Sequence, residues 1–413
     1  MAPPDPDAAN LGAALSRGLA LYRSGRLAEA RACYEAVLRG DPEHFEALHR
    51  LAMIDIVTGR PEPGVALLRR AIAVNPTLAS VHGLLASTLD QLDRPYEALV
   101  SYDKAIALEP SLAKAHLHRG LVLRRLGRLE SALASFERAI ALGMDTPAVL
   151  LERGSAQSML GRPAEALADY DKVVALDRDN AMAHYDRGIA LHALGRPNAA
   201  VASFTTAIDL KPDYAEALIN RSHSLLLGGR FDEGWREHEH RKRLWGAAAR
   251  RFDAERPWFG QFPLSEETLF IHAEQGLGDT IQFSRYAKLA SDRPGRTILA
   301  VQTPLKSLLR QLGPSLEVIG DGEPWPDFDC QCSLMSLPLA FGTTERTIPA
   351  SERYLRAAPE RRARFEGLLG PGTRRRVGLA WSGSADHAND RNRSIAFDAL
   401  APMLSEAFDW IAL

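Results

Sequence analysis

Residues Gly154-Ser155-Ala156-Gln157-Ser158-Met159-Leu160-Gly161-Arg162-Pro163-Ala164-Glu165-Ala166-Leu167-Ala168-Asp169-Tyr170 hold a small residue, a Gly-Arg turn seven positions on, an alanine five beyond it and an aromatic four further. The same marks recur in both directions at a step of 34 residues. Gly-Arg stands at Gly25, Gly59, Gly127, Gly161, Gly195 and Gly229, with Asp93 in the remaining slot. The small residue before the turn is Gly18, Ala52, Ala86, Gly120, Gly154, Gly188 or Ser222, and the one after it Ala30, Gly64, Ala98, Ala132, Ala166, Ala200 or Gly234. Tyr34, Tyr102, Phe136, Tyr170 and Phe204 supply the aromatic, and Pro42, Pro76, Pro110 and Pro212 close units. Two antiparallel helices per unit explain this spacing. Small residues let the helices approach, the aromatic fills the gap between units, glycine ends the first helix and proline stops the second.

Seven such units, starting near 11, 45, 79, 113, 147, 181 and 215, resemble the tetratricopeptide pattern over residues 11–246, after a disordered stretch 1–10. Stacked hairpins bury a continuous core and leave a concave face formed by the first helices, where such arrays hold a protein or peptide partner. One position on that face reads Arg50, His118, Glu152, Asp186 and Asn220, a mixture with no obvious ligand code. Arg17, Arg119, Arg153, Arg187 and Arg221 share another position. Either they form a ladder for an acidic partner, or they pair with acids of the second helices. Glu35, Glu137 and Asp171, eighteen residues after Arg17, Arg119 and Arg153, favour pairing.

Bulk properties exclude several classes. Lys+Arg total 50 against Asp+Glu 52, so no global field recruits nucleic acid or an anionic membrane. No apolar run is long enough to span a bilayer, and the N-terminus lacks the basic and apolar regions of a signal peptide. Three cysteines make no disulfide framework, so a cytoplasmic location is expected. Cys330-x-Cys332 has the wrong spacing for a zinc knuckle, its strand context implies buried thiols, and no metal is inferred.

Past a linker at 247–267, preceded by Trp235 and Trp245 and holding Trp258, the period changes. Leu269–His272 is a short apolar run, followed by Glu274-Gln275-Gly276-Leu277-Gly278-Asp279-Thr280 and a helical pattern through Leu289. Strand-like Thr297–Val301, helical Leu305–Leu312, and strand-like Glu317–Ile319 and Phe328–Cys332 come next. This alternation predicts a parallel sheet, with a first Rossmann-like half at 268–358 and a second at 359–413 restarting at Arg376–Gly383. The glycines suit a tight turn at a helix N-terminus that favours an anion. A dinucleotide fingerprint fails because Ile281 occupies its third glycine, and Gln302-Thr303-Pro304 supplies no ribose-binding acid.

The stretches from Glu274 to Phe283 and from Asn389 to Ser394 resemble the glycosyltransferase-like domain found behind bacterial tetratricopeptide arrays, related to lipopolysaccharide heptosyltransferases of GT-B architecture. The order of parts is also similar to that of protein O-GlcNAc transferases. The resemblance implies transfer from a nucleotide-sugar to a protein or glycan, without a further cofactor. It makes Asp279 the candidate base, with N-capping of the helix as its alternative role, beside Gln275, Gly276, Gly278 and Thr280. It places the nucleotide diphosphate near Ser382, Gly383, Ser384, His387, Arg391 and Arg393, although Ala388 stands where a lysine belongs. A non-catalytic scaffold and a nucleotide-sugar sensor are the competing readings. From Arg375 to Leu413 there is room for only one strand, one helix and a last strand, so the second half is expected to be incomplete and the chain a fragment.

Overall fold

A computed structural model describes residues 6–244, 256–350, 354–370, 374–380 and 394–412. The chain divides into two compact units, Met1–Ala248 and Ala249–Leu413.

The first unit is the repeat array. Its hairpins are α1 (Pro6–Arg23) with α2 (Leu27–Gly40), α3 (Phe45–Val57) with α4 (Pro61–Val74), and α5 (Ala79–Gln91) with α6 (Pro95–Leu108). Then come α7 (Ala113–Arg125) with α8 (Leu129–Ala141), and α9 (Pro147–Met159) with α10 (Pro163–Leu176). The last are α11 (Ala181–Ala193) with α12 (Pro197–Leu210), and α13 (Ala215–Leu227) with the shorter α14 (Phe231–His238), followed by α15 (Arg241–Leu244). Residues 6–10, expected to be disordered, form the start of α1.

Each turn uses the same backbone device. The six glycines of Gly-Arg take φ between 68° and 79°, and Asp93 adopts the left-handed region with φ 55°. The next residue is an arginine outside the helical region, and in four of the seven repeats a proline opens the second helix. Proline disfavours helical backbone in the residue before it and needs no N–H partner in the first turn. The small-residue rule is steric. A Cβ at Gly188 would lie 2.5 Å from the ring of Phe204, and one at Gly154 2.7 Å from that of Tyr170.

First helices of adjacent repeats touch (α5 with α7, α7 with α9, α9 with α11, α11 with α13), whereas second helices of adjacent repeats do not pack to the same degree. A stack of such wedges curves with its first helices on the inside.

The second unit contains β1 (Thr268–His272), α16 (Leu277–Ser291), β2 (Arg296–Val301), α17 (Thr303–Leu309), β3 (Leu316–Gly320) and β4 (Cys330–Ser333). All pairings in this sheet are parallel, in the order β3-β2-β1-β4. Phe270, Ile298 and Ile319 form the core of one face, with Phe328 stacked on Phe270 at 4.8 Å. Cys330 and Cys332 are buried in β4, where burial pushes the Cys330 thiol up to about 11. Beyond α18 (Leu337–Ala340) and α19 (Pro359–Leu369), β5 (Arg375–Leu379) and β6 (Phe408–Ala412) form a parallel pair, with α20 (Phe397–Leu400) between them. No described helix is long and apolar enough to cross a membrane.

Candidate functional site

Four of the five shared arginines, Arg119, Arg153, Arg187 and Arg221, are consumed inside the array, but not by the acids the spacing suggested. Arg119 donates to Asp103 at 2.6 Å and Ser135 at 2.8 Å, and Arg187 to Asp171 and Ser203, both at 2.6 Å. Arg221 grips Glu237 through two nitrogens at 2.7 and 2.9 Å and donates to Thr205 at 3.0 Å. Arg153 grips Asp169 with Nε at 2.7 Å and Nη2 at 2.5 Å, and feels the charge of Glu137. The partners lie sixteen residues away on either side rather than eighteen ahead.

The geometry explains the correction. An acid eighteen residues after one arginine faces away from it, toward the next repeat's arginine, 34 − 18 = 16 residues further on. Glu137 and Asp171 act on Arg153 and Arg187 in this way. Glu35 instead pairs with Arg31 at 2.8 Å, and the residue sixteen after Arg17 is Cys33. Leu85 replaces the arginine of the third repeat, and a largely apolar cleft of about 520 Å³ opens beside it, lined by Arg69, His82 and Val100 among others.

The inner face differs. Arg50 pairs with Glu46 at 3.2 Å, Glu152 with Arg124 at 2.9 Å, and Arg125 with Asp90 across neighbouring first helices. His118 stacks on Tyr102 at 6.3 Å, and burial lowers its pKa. Asn220 donates to the Tyr185 hydroxyl at 3.0 Å. Asp186 has no hydrogen-bond, ion-pair or ring partner among the described residues; burial, then the charge of Glu152, push its carboxyl up to about 6. Its charge reaches the phenols of Tyr170, Tyr185 and Tyr214. Four residues before it Met182 is 58% exposed, and three after it Ile189 is 37% exposed. In the sequence Asp186 stands only as one of a mixed set. Tyr185 beside it, and Tyr214 at the head of the next repeat, were the available signal of an aromatic surround.

In the second unit, β1 ends at His272, whose ring lies 3.2 Å from Gln331 Oε1. The Gln275 carbonyl accepts from Gln302 Nε2 at 2.5 Å, and buried Thr280 donates its hydroxyl to the Gly276 carbonyl at 3.1 Å. Asp279 is not the N-cap. Gly276 holds that place, with φ −64° and ψ 168°, and Asp279 stands half-buried in the first turn of α16. Gly276 and Gly278 do not adopt positive φ, so no left-handed turn demands them. A Cβ at Gly276 would meet Asp279 Oδ2 at 3.4 Å, and Gly278 has open space. Asp279 therefore lies at the C-terminal edge of β1, the strand about which the sheet order reverses. Ser382, Gly383, Ser384, His387, Arg391 and Arg393 lie outside the described residues.

These features define a helical-hairpin array with an accessible inner face, joined to a unit built on a parallel sheet. Models described as tetratricopeptide repeat match residues 21–88, 84–147, 151–215 and 193–234, and the chain belongs to that family. It is 29% identical over 206 residues to Protein FlbA of Caulobacter vibrioides. That alignment takes in 45% of this chain and 34% of the relative, so the chain spans about a third of its length. Among solved structures it is similar to YrrB, titled a TPR protein with an unusual peptide-binding site, at 24% identity and TM-score 0.40, covering 42% of this chain and 89% of that one. A Pseudomonas aeruginosa pilF structure matches at 20% identity and TM-score 0.42, covering 52% and 97%.

Proposed function

We propose that the repeat unit is a protein-interaction scaffold that seats a peptide segment of its partner along the inner face. One contrast supports this reading. The arginines of the fourth to seventh repeats are internally satisfied, while Met182, Asp186 and Ile189 remain exposed or unpaired on α11. Exposed apolar side chains grouped around a polar one are what a peptide-recognition face needs. The full chain, used to select from a phage-displayed random peptide library, should enrich a sequence family. Ile189→Arg should abolish that enrichment. A selection that enriches nothing ends the scaffold reading.

We further propose that the α/β unit belongs to a sugar-transfer machinery using a nucleotide-sugar donor, with Asp279 orienting or deprotonating the acceptor hydroxyl. The supporting observation is the place of Asp279 at the end of β1, where open parallel sheets bind ligands when strand order reverses. Arg391 and Arg393 are assigned to the leaving diphosphate by resemblance, where guanidinium groups offset phosphate charge. Titration calorimetry with a panel of nucleoside diphosphates and nucleotide-sugars tests donor binding, and silence with every compound rejects it. In a transfer-competent protein carrying this unit, Asp279→Asn should lower transfer by about 100-fold with unchanged folding.

A further inference from the structure

One inner-face carboxylate of α11 has no ion-pair partner among the described residues. Asp186 projects from the middle of α11, between Met182 and Ile189 on the same helical face. The charges and phenols that act with it come from four elements. Glu152 belongs to α9, Tyr170 to α10, Tyr185 to α11 itself, and Tyr214 stands at the head of α13. Tyr185 and Tyr214 pack with ring centroids 4.8 Å apart. The nearby cations are committed elsewhere: Arg124 to Glu152, Arg187 to Asp171, and Lys211 over the Tyr214 ring at 4.6 Å. Burial and the charge of Glu152, not these cations, shift the Asp186 carboxyl.

We propose that this face accepts a peptide segment of a partner protein whose lysine or arginine seats against Asp186 among the tyrosine rings, with flanking apolar residues lying on Met182 and Ile189. The proposal rests on the scaffold reading and names the chemistry of its ligand. A partly desolvated carboxylate beside another acid is unfavourable until a cation joins it, and an acidic segment would compound the repulsion. Aromatic faces add attraction for an ammonium or guanidinium group. Apolar surface on either side of the charge gives the segment a contact beyond the ion pair, in a site that excludes part of the competing water.

Peptides enriched by the full chain from a random library supply the probe. Each is resynthesised with its basic residue replaced by Nε-acetyl-lysine or glutamate, and binding is read by fluorescence anisotropy. The basic forms should bind at least about tenfold more tightly than either replacement. Asp186→Asn should erase that preference while its circular dichroism matches the parent, and Asp186→Glu should retain part of it. Enriched peptides without a basic residue, or a basic preference that survives Asp186→Asn, would overturn this inference and leave the scaffold intact. A library from which nothing is enriched would instead remove the scaffold reading beneath it.

Discussion

The repeat unit and the α/β unit bury aromatic rings equally well but on opposite plans. Phe204 is fully buried by partners near in sequence: Gly188 sixteen residues before it, and Tyr185 at 5.9 Å. Phe270 is as fully buried, but its neighbours Ile298, Ile319 and Phe328 arrive from three separate later segments. A solenoid repeat contacts only its neighbours, so damage there is local, whereas a sheet core is shared by every strand. The difference also affects inference. A residue of the array can be judged against its counterparts 34 residues away, while a residue of the sheet has no internal control.

Matched truncations test the contrast most severely. Phe204→Ala and Phe270→Ala should each cost about 3–5 kcal/mol. Hydrogen exchange should show the first loosening the repeats around α11 and α12, and the second exposing the whole sheet. A global loss of protection from Phe204→Ala would break the comparison.

Acid should find the end of the array first. His238 occupies the position of the aromatic in the last repeat, opposite Ser222, with His223 and Trp235 rings 5.6 and 5.9 Å away. Burial, then Arg241 and His223, push its pKa down to about 3. The folded state therefore keeps it neutral while an unfolded chain takes up a proton near pH 6.5. Stability from this site is complete above that pH and falls by about 1.4 kcal/mol per unit below it, until the folded pKa is reached. His238→Phe should flatten this acid limb in urea titrations. An unchanged limb would mean that other groups carry it.

Asp186 titrates with the opposite sign. Its folded pKa of about 6 lies above the unfolded value, so ionisation costs stability as pH rises through this interval. Asp186→Asn should stabilise the chain at pH 7 by about 1–2 kcal/mol after allowance for its partial exposure, and the gain should vanish below about pH 4. Such a gain coupled to lost binding is the signature of a residue kept for function. Destabilisation by the same change would show that the carboxylate is structural.

The smallest effect lies at the one turn that lacks glycine. Asp93 has φ 55° where its six counterparts are glycines, and left-handed backbone costs a side-chain-bearing residue about 1 kcal/mol. Asp93→Gly should recover part of that, read as a small rise in the denaturation midpoint. A fall would show that the Asp93 side chain contributes more than its backbone costs.

Sequence alone determined the array: its period, turn glycines, small positions and aromatics are local requirements of a helical hairpin, and each was legible where it stands. The strands β1 to β4 were likewise legible as short apolar runs between turns. Pairing was not. An acid eighteen residues from an arginine looks like its partner until the hairpins stack and turn it toward the next repeat, as with Glu137 and Arg153. N-capping was the alternative role that the sequence allowed Asp279, but the backbone assigned that place to Gly276. The isolation of Asp186 emerged only once stacking had given Arg124 to Glu152 and Arg187 to Asp171, because a charge is unpaired only relative to everything packed around it. Local sequence sets dihedrals and hydrophobic period, but which charges are neutralised depends on contacts between separate helices, and tertiary structure decides those.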